Sequence, residues 1–161
     1  MAYVTLQERL RGEIAKNLKK DLGIENVNAL PRLKKVIVNV GINKTKMDSK
    51  ELHEYINETL KKITGQKPIQ RKAKKAISNF KTREGLVVGT MVTLRGPRML
   101  AFVDRLVSYV LPEVGTVDAN KIFVLQIQFT ISGNSDEGSK ALLTAIGMPF
   151  IKPKKSAQSV A

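Results

Sequence analysis

The sequence predicts a two-layer α+β protein, in which helices pack on one face of an antiparallel sheet and the second face is polar. Two observations predict this class. Three long segments alternate apolar and polar residues with period two, over residues 33–42, 86–95 and 121–131. Four segments repeat apolar residues at the helical period, over residues 5–21, 48–63, 97–111 and 136–145. A short strand at 69–72 completes the order helix, strand, helix, strand, strand, helix, strand, helix.

The composition favours one globular domain with a polyanionic partner. The 161 residues are 42% hydrophobic, and we assign residues 1–150 to a single domain and 151–161 to a flexible basic tail. Lys and Arg number 28 against 14 Asp and Glu, and the resulting net charge of +14 attracts phosphate backbones. No apolar run approaches the roughly 18 residues of a spanning helix, and the first residues do not resemble a signal peptide. We therefore expect a cytoplasmic nucleic-acid-binding protein.

The first helix and the first strand follow from periodicity. The helix is expected to start with a capping box between Thr5 and Glu8 and to stop at Gly23. Its apolar stripe is Leu6, Leu10, Ile14 and Leu18. In the strand that follows, Val36, Val38 and Val40 share the core face, which leaves Asn39 on the opposite face.

The second helix is expected to begin at a cap formed by Asp48 or Ser49 and to end before Gly65. Its predicted apolar stripe is Leu52, Ile56, Leu60 and Ile63. His53 is the only histidine, and it lies off that stripe. We expect an exposed surface residue there, because acid–base catalysis needs positioned partners.

The highest charge density lies between Lys61 and Arg83. This segment has no acidic residue and nine basic ones: Lys61, Lys62, Lys67, Arg71, Lys72, Lys74, Lys75, Lys81 and Arg83. Apolar residues recur within it, so a folded basic element is expected rather than a charged tail. Residues 73–85 are expected to loop out as a hairpin tip with charge on all sides. Phe80 either stacks on a base or anchors the loop to the core.

The second half of the chain supplies two strands and two helices. Gly96 and Pro97 open a helix with a wide apolar stripe, and Pro112 is expected to end it. The last helix begins at Asp136 and is closed by Gly147. Alternation along the strands assigns seven residues to the second sheet face: Asn39, Met91, Thr93, Arg95, Gln126, Gln128 and Thr130. This acid-free set is either a solvated face or a binding platform.

Catalytic and metal-binding chemistry is not expected. One histidine and no cysteine leave no basis for a Ser-His-Asp or Cys-His arrangement, a disulfide or a thiolate zinc site. Glu51, Glu54 and Glu58 fall along one side of a helix, where carboxylates are usually solvated. We expect no enzyme and no cofactor.

Several runs of residues resemble the ribosomal L-five family in its bacterial form. They are KVIVNVG at 35–41, TGQKP at 64–68, KAKK at 72–75, FKTREG at 80–85, VTLRG at 92–96, SDEG at 135–138 and GMPF at 147–150. The similarity runs in order from about residue 5 to residue 150. It implies a structural protein of the large ribosomal subunit that supports translation.

The resemblance also implies partners and contact residues. The partners are 5S ribosomal RNA, which the protein helps to anchor in the central protuberance, large-subunit ribosomal RNA, peptidyl-site tRNA and other central-protuberance proteins. The 5S contact maps onto Asn39, Gln66, Thr93 and Arg95. Contact with the elbow of the tRNA maps onto a protruding basic loop, with Lys72, Lys74, Lys75, Ser78, Asn79, Lys81 and Arg83. Lys and Arg neutralise phosphates, while amides and hydroxyls bond to ribose and base edges.

One departure from the family pattern lies between the third helix and the last long strand. Bacterial relatives carry a hairpin segment there that contributes to a bridge with a small-subunit head protein, and this chain has only residues 113–120. Either the bridge is absent, or residues 114–120 form it anew.

Three other functional classes make different predictions. A general nucleic-acid packaging protein would bind duplex DNA and RNA equally. An RNA-modifying enzyme would lose turnover on substitution of His53. A protein of anionic membrane surfaces would bind vesicles in a way that free RNA does not compete away.

Overall fold

The computed structural model describes residues 5–42, 50–80, 82–113, 125–133 and 135–150, and it has the expected α+β architecture. Its sheet contains β1 (Arg32–Gly41), β2 (Ile69–Lys72), β3 (Val87–Leu94) and β4 (Leu125–Ser132). The strands lie in the order β2-β3-β1-β4, and every pair is antiparallel. The first strand of the chain is therefore central, because β3 and β4 pair on either side of it.

Six helices accompany the sheet in the described ranges. They are α1 (Leu6–Arg11), α2 (Glu13–Leu22), α3 (Lys50–Thr64), α4 (Gly96–Arg105), the single turn α5 (Leu111–Glu113) and α6 (Asp136–Ile146). Short 3₁₀ turns occur at Val27–Ala29 and Ser78–Phe80.

The hydrophobic core lies between the helices and one face of the sheet. Val36, Val38 and Val40 of β1 are completely buried, as the alternation predicted. Other buried residues come from the helices and from β3: Leu6, Ile14, Leu18, Ile56, Leu60, Val92, Leu94, Met99, Phe102, Val103, Leu106, Leu142 and Ile146. Helices thus cover one face of the sheet and leave the other uncovered.

The N-terminal helix is divided at Gly12, where the sequence predicted one continuous helix. The backbone there (φ −96°, ψ −89°) leaves the helical region, and glycine tolerates this conformation at little cost. The predicted capping box is confirmed, because Thr5 Oγ1 accepts from the Glu8 N–H and the Glu8 carboxylate accepts from the Thr5 N–H. Gly23 ends α2 in the left-handed conformation, as expected.

The buried face of α3 ends one residue later than the apolar stripe predicted from the sequence. Ile56 and Leu60 are completely buried, but Ile63 is 37% exposed and Thr64 takes the buried position. The Thr64 hydroxyl donates to the Leu60 carbonyl oxygen at 2.6 Å, which satisfies it inside the core. Gly65 has the expected positive φ. The predicted Asp48 or Ser49 cap lies outside the described residues.

Pro112 does not stop the third long helix, which was predicted to end before it. Between α4 and α5 the helix widens into a π turn over Leu106–Val110, where the Leu111 N–H bonds to the Leu106 carbonyl. Proline cannot supply the N–H of a normal helical bond, and its ring crowds the preceding turn. The wider turn just before Pro112 accommodates it, so helical structure continues to Glu113.

The last strand and helix follow the prediction where they are described. Ile127, Phe129 and Ile131 of β4 pack against the core, while Leu125 at its start is 38% exposed. Ser135 caps α6 by accepting from the Gly138 N–H, and Gly147 closes it. Predictions for residues 114–120, for the strand extension 121–124 with Phe123, and for the tail 151–161 fall outside the described residues.

Candidate RNA-binding surface

The uncovered side of the sheet, here called the open face, consists of rows of side chains that cross neighbouring strands. Antiparallel pairing places Asn39 between Met91 and Gln126, and Ile37 between Thr93 and Gln128. Because partners in register share a face, the pairing defines the set. The open face comprises Lys35, Ile37, Asn39, Gly41, Ile69, Arg71, Gly89, Met91, Thr93, Gln126, Gln128 and Thr130.

Three of the four residues predicted to contact 5S RNA belong to this face or to its continuation. Asn39 and Thr93 are diagonal neighbours, since Thr93 pairs with Ile37 two residues away. Arg95 follows the end of β3 in extended conformation (φ −142°, ψ 160°), so alternation carries it to the same side as Thr93. The Arg95 side chain is exposed.

Gln66 lies in the connector between α3 and β2. Its N–H donates to Thr64 Oγ1 at 3.3 Å. Because Ile69 pairs antiparallel with Met91, the connector runs toward the Thr93 end of β3. The fold therefore directs Gln66 to the end of the sheet where Thr93 and Arg95 lie.

A shallow depression of about 280 Å³ occupies the centre of the open face, lined by Ile37, Asn39, Arg71, Met91, Gln126 and Gln128. The Asn39 amide donates to Gln126 Oε1 at 3.4 Å across its floor. None of the open-face residues defined above is acidic. The depression thus offers amides, a guanidinium group and apolar surface to a ligand, with no carboxylate to repel a phosphate.

Gly89 permits β3 to lie close to β1 beside this depression. A Cβ at Gly89 would lie 2.9 Å from the Val40 carbonyl oxygen and 3.8 Å from Asn39 Oδ1. Its partner in register is Gly41, where a Cβ would meet nothing within 4 Å. Gly89 therefore cannot be replaced by a larger residue without moving the β1 backbone, whereas Gly41 can.

The basic loop predicted for residues 73–85 is a short hairpin extension. At its base, the Ala73 N–H donates to the Leu86 carbonyl and the Gly85 N–H donates to the Ala73 carbonyl. Farther out, Ile77 and Thr82 exchange backbone hydrogen bonds of 3.0 and 3.1 Å. The described residues assigned to tRNA contact are all exposed: Lys72, Lys74, Lys75, Ser78, Asn79 and Arg83. Lys81 and the side chain of Phe80 lie outside the described part of the loop.

Sequence reasoning missed the contribution of β2 to the open face. Ile69 and Arg71 face the same way as Met91 and Gly89, because the two strands pair in register. Four residues are too few to show an alternation of burial, and all four are exposed. The pairing with β3, which would have revealed it, is not encoded in local periodicity.

Catalytic and membrane features are not seen in the described ranges. No cluster of three or more His, Cys, Asp or Glu side chains there could hold a metal ion. No helix in the described part of the chain is long and apolar enough to cross a membrane. His53 is half-buried on α3, where the sequence predicted an exposed residue.

Comparison with known proteins identifies the family. A family model described as ribosomal protein L5 matches residues 26–83. The large ribosomal subunit proteins uL5 of Alkaliphilus metalliredigens and Natranaerobius thermophilus are each 35% identical to the chain. These alignments cover 91% and 90% of this chain and 98% and 97% of the relatives. That of Rubrobacter xylanophilus is 37% identical over 90% of this chain and 97% of its own length.

The alignments also bear on the missing segment. They extend over 175 to 177 positions, more than the 161 residues of this chain, so the relatives contain internal residues that this chain lacks. An identity of 35% over nine-tenths of the chain is sufficient to assign the chain to a family. The chain belongs to the ribosomal protein L5 family and is a structural, non-enzymatic component of the large subunit of the cytoplasmic ribosome.

Proposed function

We propose that the protein binds 5S ribosomal RNA through its open face and helps to anchor that RNA in the central protuberance. The observation that carries this proposal is the arrangement of Asn39, Thr93 and Arg95 on one acid-free side of the sheet, with Gln66 directed to the same end. Amide and hydroxyl groups suit the base edges and 2′-hydroxyls of RNA, and Arg95 suits its phosphates.

We further propose that the basic loop contacts the elbow of the peptidyl-site tRNA. Exposed Lys72, Lys74, Lys75 and Arg83 give it a high density of positive charge, while Ser78 and Asn79 add hydrogen-bonding groups in the 3₁₀ turn. Such a surface neutralises phosphates without reading sequence. The open face and the loop would then engage two different RNA molecules.

Further partners known for the family extend this proposal. Large-subunit ribosomal RNA and neighbouring central-protuberance proteins are the remaining partners that we propose. For the bridge to a small-subunit head protein, two outcomes stay open: either it is absent, because the segment that contributes to it in bacterial relatives is shortened here, or residues 114–120 form it anew.

The test is binding of the purified full-length chain to 5S ribosomal RNA in competition with unrelated structured RNA and with duplex DNA. We expect selective binding that weakens steeply as salt concentration rises, since phosphate contacts release counterions. Equal affinity for all three nucleic acids would instead indicate a general packaging protein.

A further inference from the structure

We propose that an apolar groove on the helix side of β4 binds an extended segment of a partner protein, one that carries both apolar side chains and carboxylates. The segment adds a strand to the free edge of β4 and places alternate side chains in the groove. This surface lies on the side of the sheet opposite to the open face, so the inference stands independently of the proposed RNA contacts.

The groove, here called the β4 groove, has a volume of about 970 Å³ and is lined by the end of α3, by α4, the π turn and α5, and by β1 and β4. Val38 of β1 and Ile127 of β4 pair in register within it. Its exposed apolar residues are Ile63, Tyr109, Val110 and Leu125. Exposed apolar side chains gathered along one concave surface mark an interaction site, whereas scattered ones do not.

The core side of the sheet loses its cover toward β4. The valines at 36, 38 and 40 of β1 are completely buried, and their register partners on β3 are at most 1% exposed. The register partners of the same valines on β4 are half-buried or exposed: Phe129, Ile127 and Leu125. The helices therefore do not cover β4 as they cover β1 and β3. A strand added beside β4 would contribute side chains to these rows where they are incomplete.

The two edge strands of the described sheet differ in their protection against pairing with another chain. β2 has four residues, two of them the cations Arg71 and Lys72, and Pro68 stands just before it. Short length, positive charge and proline are features that keep an edge strand from pairing. β4 has eight residues, LQIQFTIS, and includes no charged residue, glycine or proline. Its outer edge is therefore able to accept a strand through main-chain hydrogen bonds.

The charge around the β4 groove determines the chemistry of the segment. Lys62, Arg98 and Arg105 line the groove, and none of the described lining residues is acidic. Arg105 donates to the Ile63 carbonyl oxygen at 3.2 Å, which fixes a guanidinium group on the wall. A second copy of this chain, with its own net charge of +14, is repelled, so the occupant is a different protein. A nucleic acid offers phosphates but no aliphatic side chains, whereas a peptide with carboxylates and apolar residues complements both parts of the groove.

The probe is a synthetic peptide of about ten residues that alternates valine and glutamate, titrated into the full-length chain at fixed salt. We expect saturable binding, about tenfold tighter than that of a peptide with the same residues in scrambled order, which keeps the charge and loses the alternation. Val110→Ala should weaken binding about threefold. Val27→Ala is the matched control and should not, because Val27 is also 48% exposed but lies outside the groove. Arg98→Gln should weaken binding about twofold to fivefold, and Arg11→Gln, at an exposed arginine of α1, should leave it unchanged.

A second measurement distinguishes strand addition from electrostatic attraction. Two versions of the peptide carry N-methyl groups on every second backbone nitrogen, so that each version blocks one edge of the strand. We expect one version to lose about tenfold in affinity and the other to bind as the parent peptide does. Equal binding of the alternating and scrambled peptides, equal binding of the two methylated versions, or unchanged affinity in Val110→Ala would overturn the proposal. Displacement of the peptide by a saturating structured RNA would also overturn it, because the groove would then take nucleic acid.

Discussion

The side-chain amide of Asn39 donates a hydrogen bond to Oε1 of Gln126 across 3.4 Å, which links the central strand β1 to the edge strand β4 on the open face. Strand pairing places Asn39 between Gln126 and Met91. An amide therefore lies at the centre of an acid-free surface.

Removing the Asn39 or the Arg95 side chain should weaken binding to 5S RNA without unfolding the protein. We expect Asn39→Ala and Arg95→Ala each to cost about 1–3 kcal/mol of binding free energy, since each removes hydrogen bonds to base, ribose or phosphate. Filter binding or calorimetry at fixed salt measures this. Asn17→Ala, at an exposed asparagine of α2, is the control and should bind as wild type. Equal losses of affinity for Asn17→Ala and Asn39→Ala would contradict the assignment of 5S RNA binding to the open face.

Substitution of the basic loop should affect a different RNA. We expect Lys74→Ala/Lys75→Ala to leave 5S binding nearly unchanged and to weaken engagement of peptidyl-site tRNA by ribosomes carrying the variant. The binding of tRNA should also depend less steeply on salt, by a slope of about 0.7–0.9 for each phosphate that the loop no longer neutralises.

The control for the loop is Lys16→Ala/Lys20→Ala, which removes the same amount of positive charge from two exposed lysines of α2. If the loop variant lost 5S binding as strongly as Arg95→Ala does, the proposed division between loop and open face would be wrong.

Two glycines that face each other across β1 and β3 should respond differently to alanine. Gly89→Ala forces a Cβ to within 2.9 Å of the Val40 carbonyl oxygen, and we expect a loss of about 1–3 kcal/mol in the free energy of unfolding. Gly41→Ala meets nothing within 4 Å and should be close to neutral. Urea unfolding followed by circular dichroism compares the two. Similar stability of both variants would show that β1 and β3 do not approach each other so closely.

Two isoleucines on α3 test the corrected position of its buried stripe. Ile56→Ala removes a completely buried side chain and should destabilise the protein by about 2–5 kcal/mol. Ile63→Ala, at a residue 37% exposed, should cost about 1 kcal/mol or less. Thermal unfolding of both variants compares their stabilities, and equally large losses would support the stripe predicted from the sequence, which contains both isoleucines.

Local periodicity was sufficient to predict which side chains of β1 are buried and which face Asn39 occupies, because strand geometry alone determines alternation. It wrongly assigned Ile63 to the buried stripe and did not predict the burial of Thr64, because a polar residue is not expected in the core. The Thr64 hydroxyl is satisfied there by its hydrogen bond to the Leu60 carbonyl. It also missed Arg71 and the convergence of Gln126 on Asn39. Both depend on strand order and register, which leave no local signal: Arg71 pairs with Gly89, and Asn39 meets Gln126 from 87 positions away.

Binding of 5S ribosomal RNA by the open face is tested most directly by the affinity of the full-length chain for that RNA relative to an unrelated structured RNA of similar length. Asn39→Ala and Arg95→Ala are measured beside wild type. We predict selective wild-type binding, a loss of selectivity for 5S RNA with retained affinity for the unrelated RNA in Asn39→Ala, and weaker binding of 5S RNA in Arg95→Ala. Equal affinity of the wild-type chain for both RNAs, or unchanged 5S binding in both variants, would contradict this prediction.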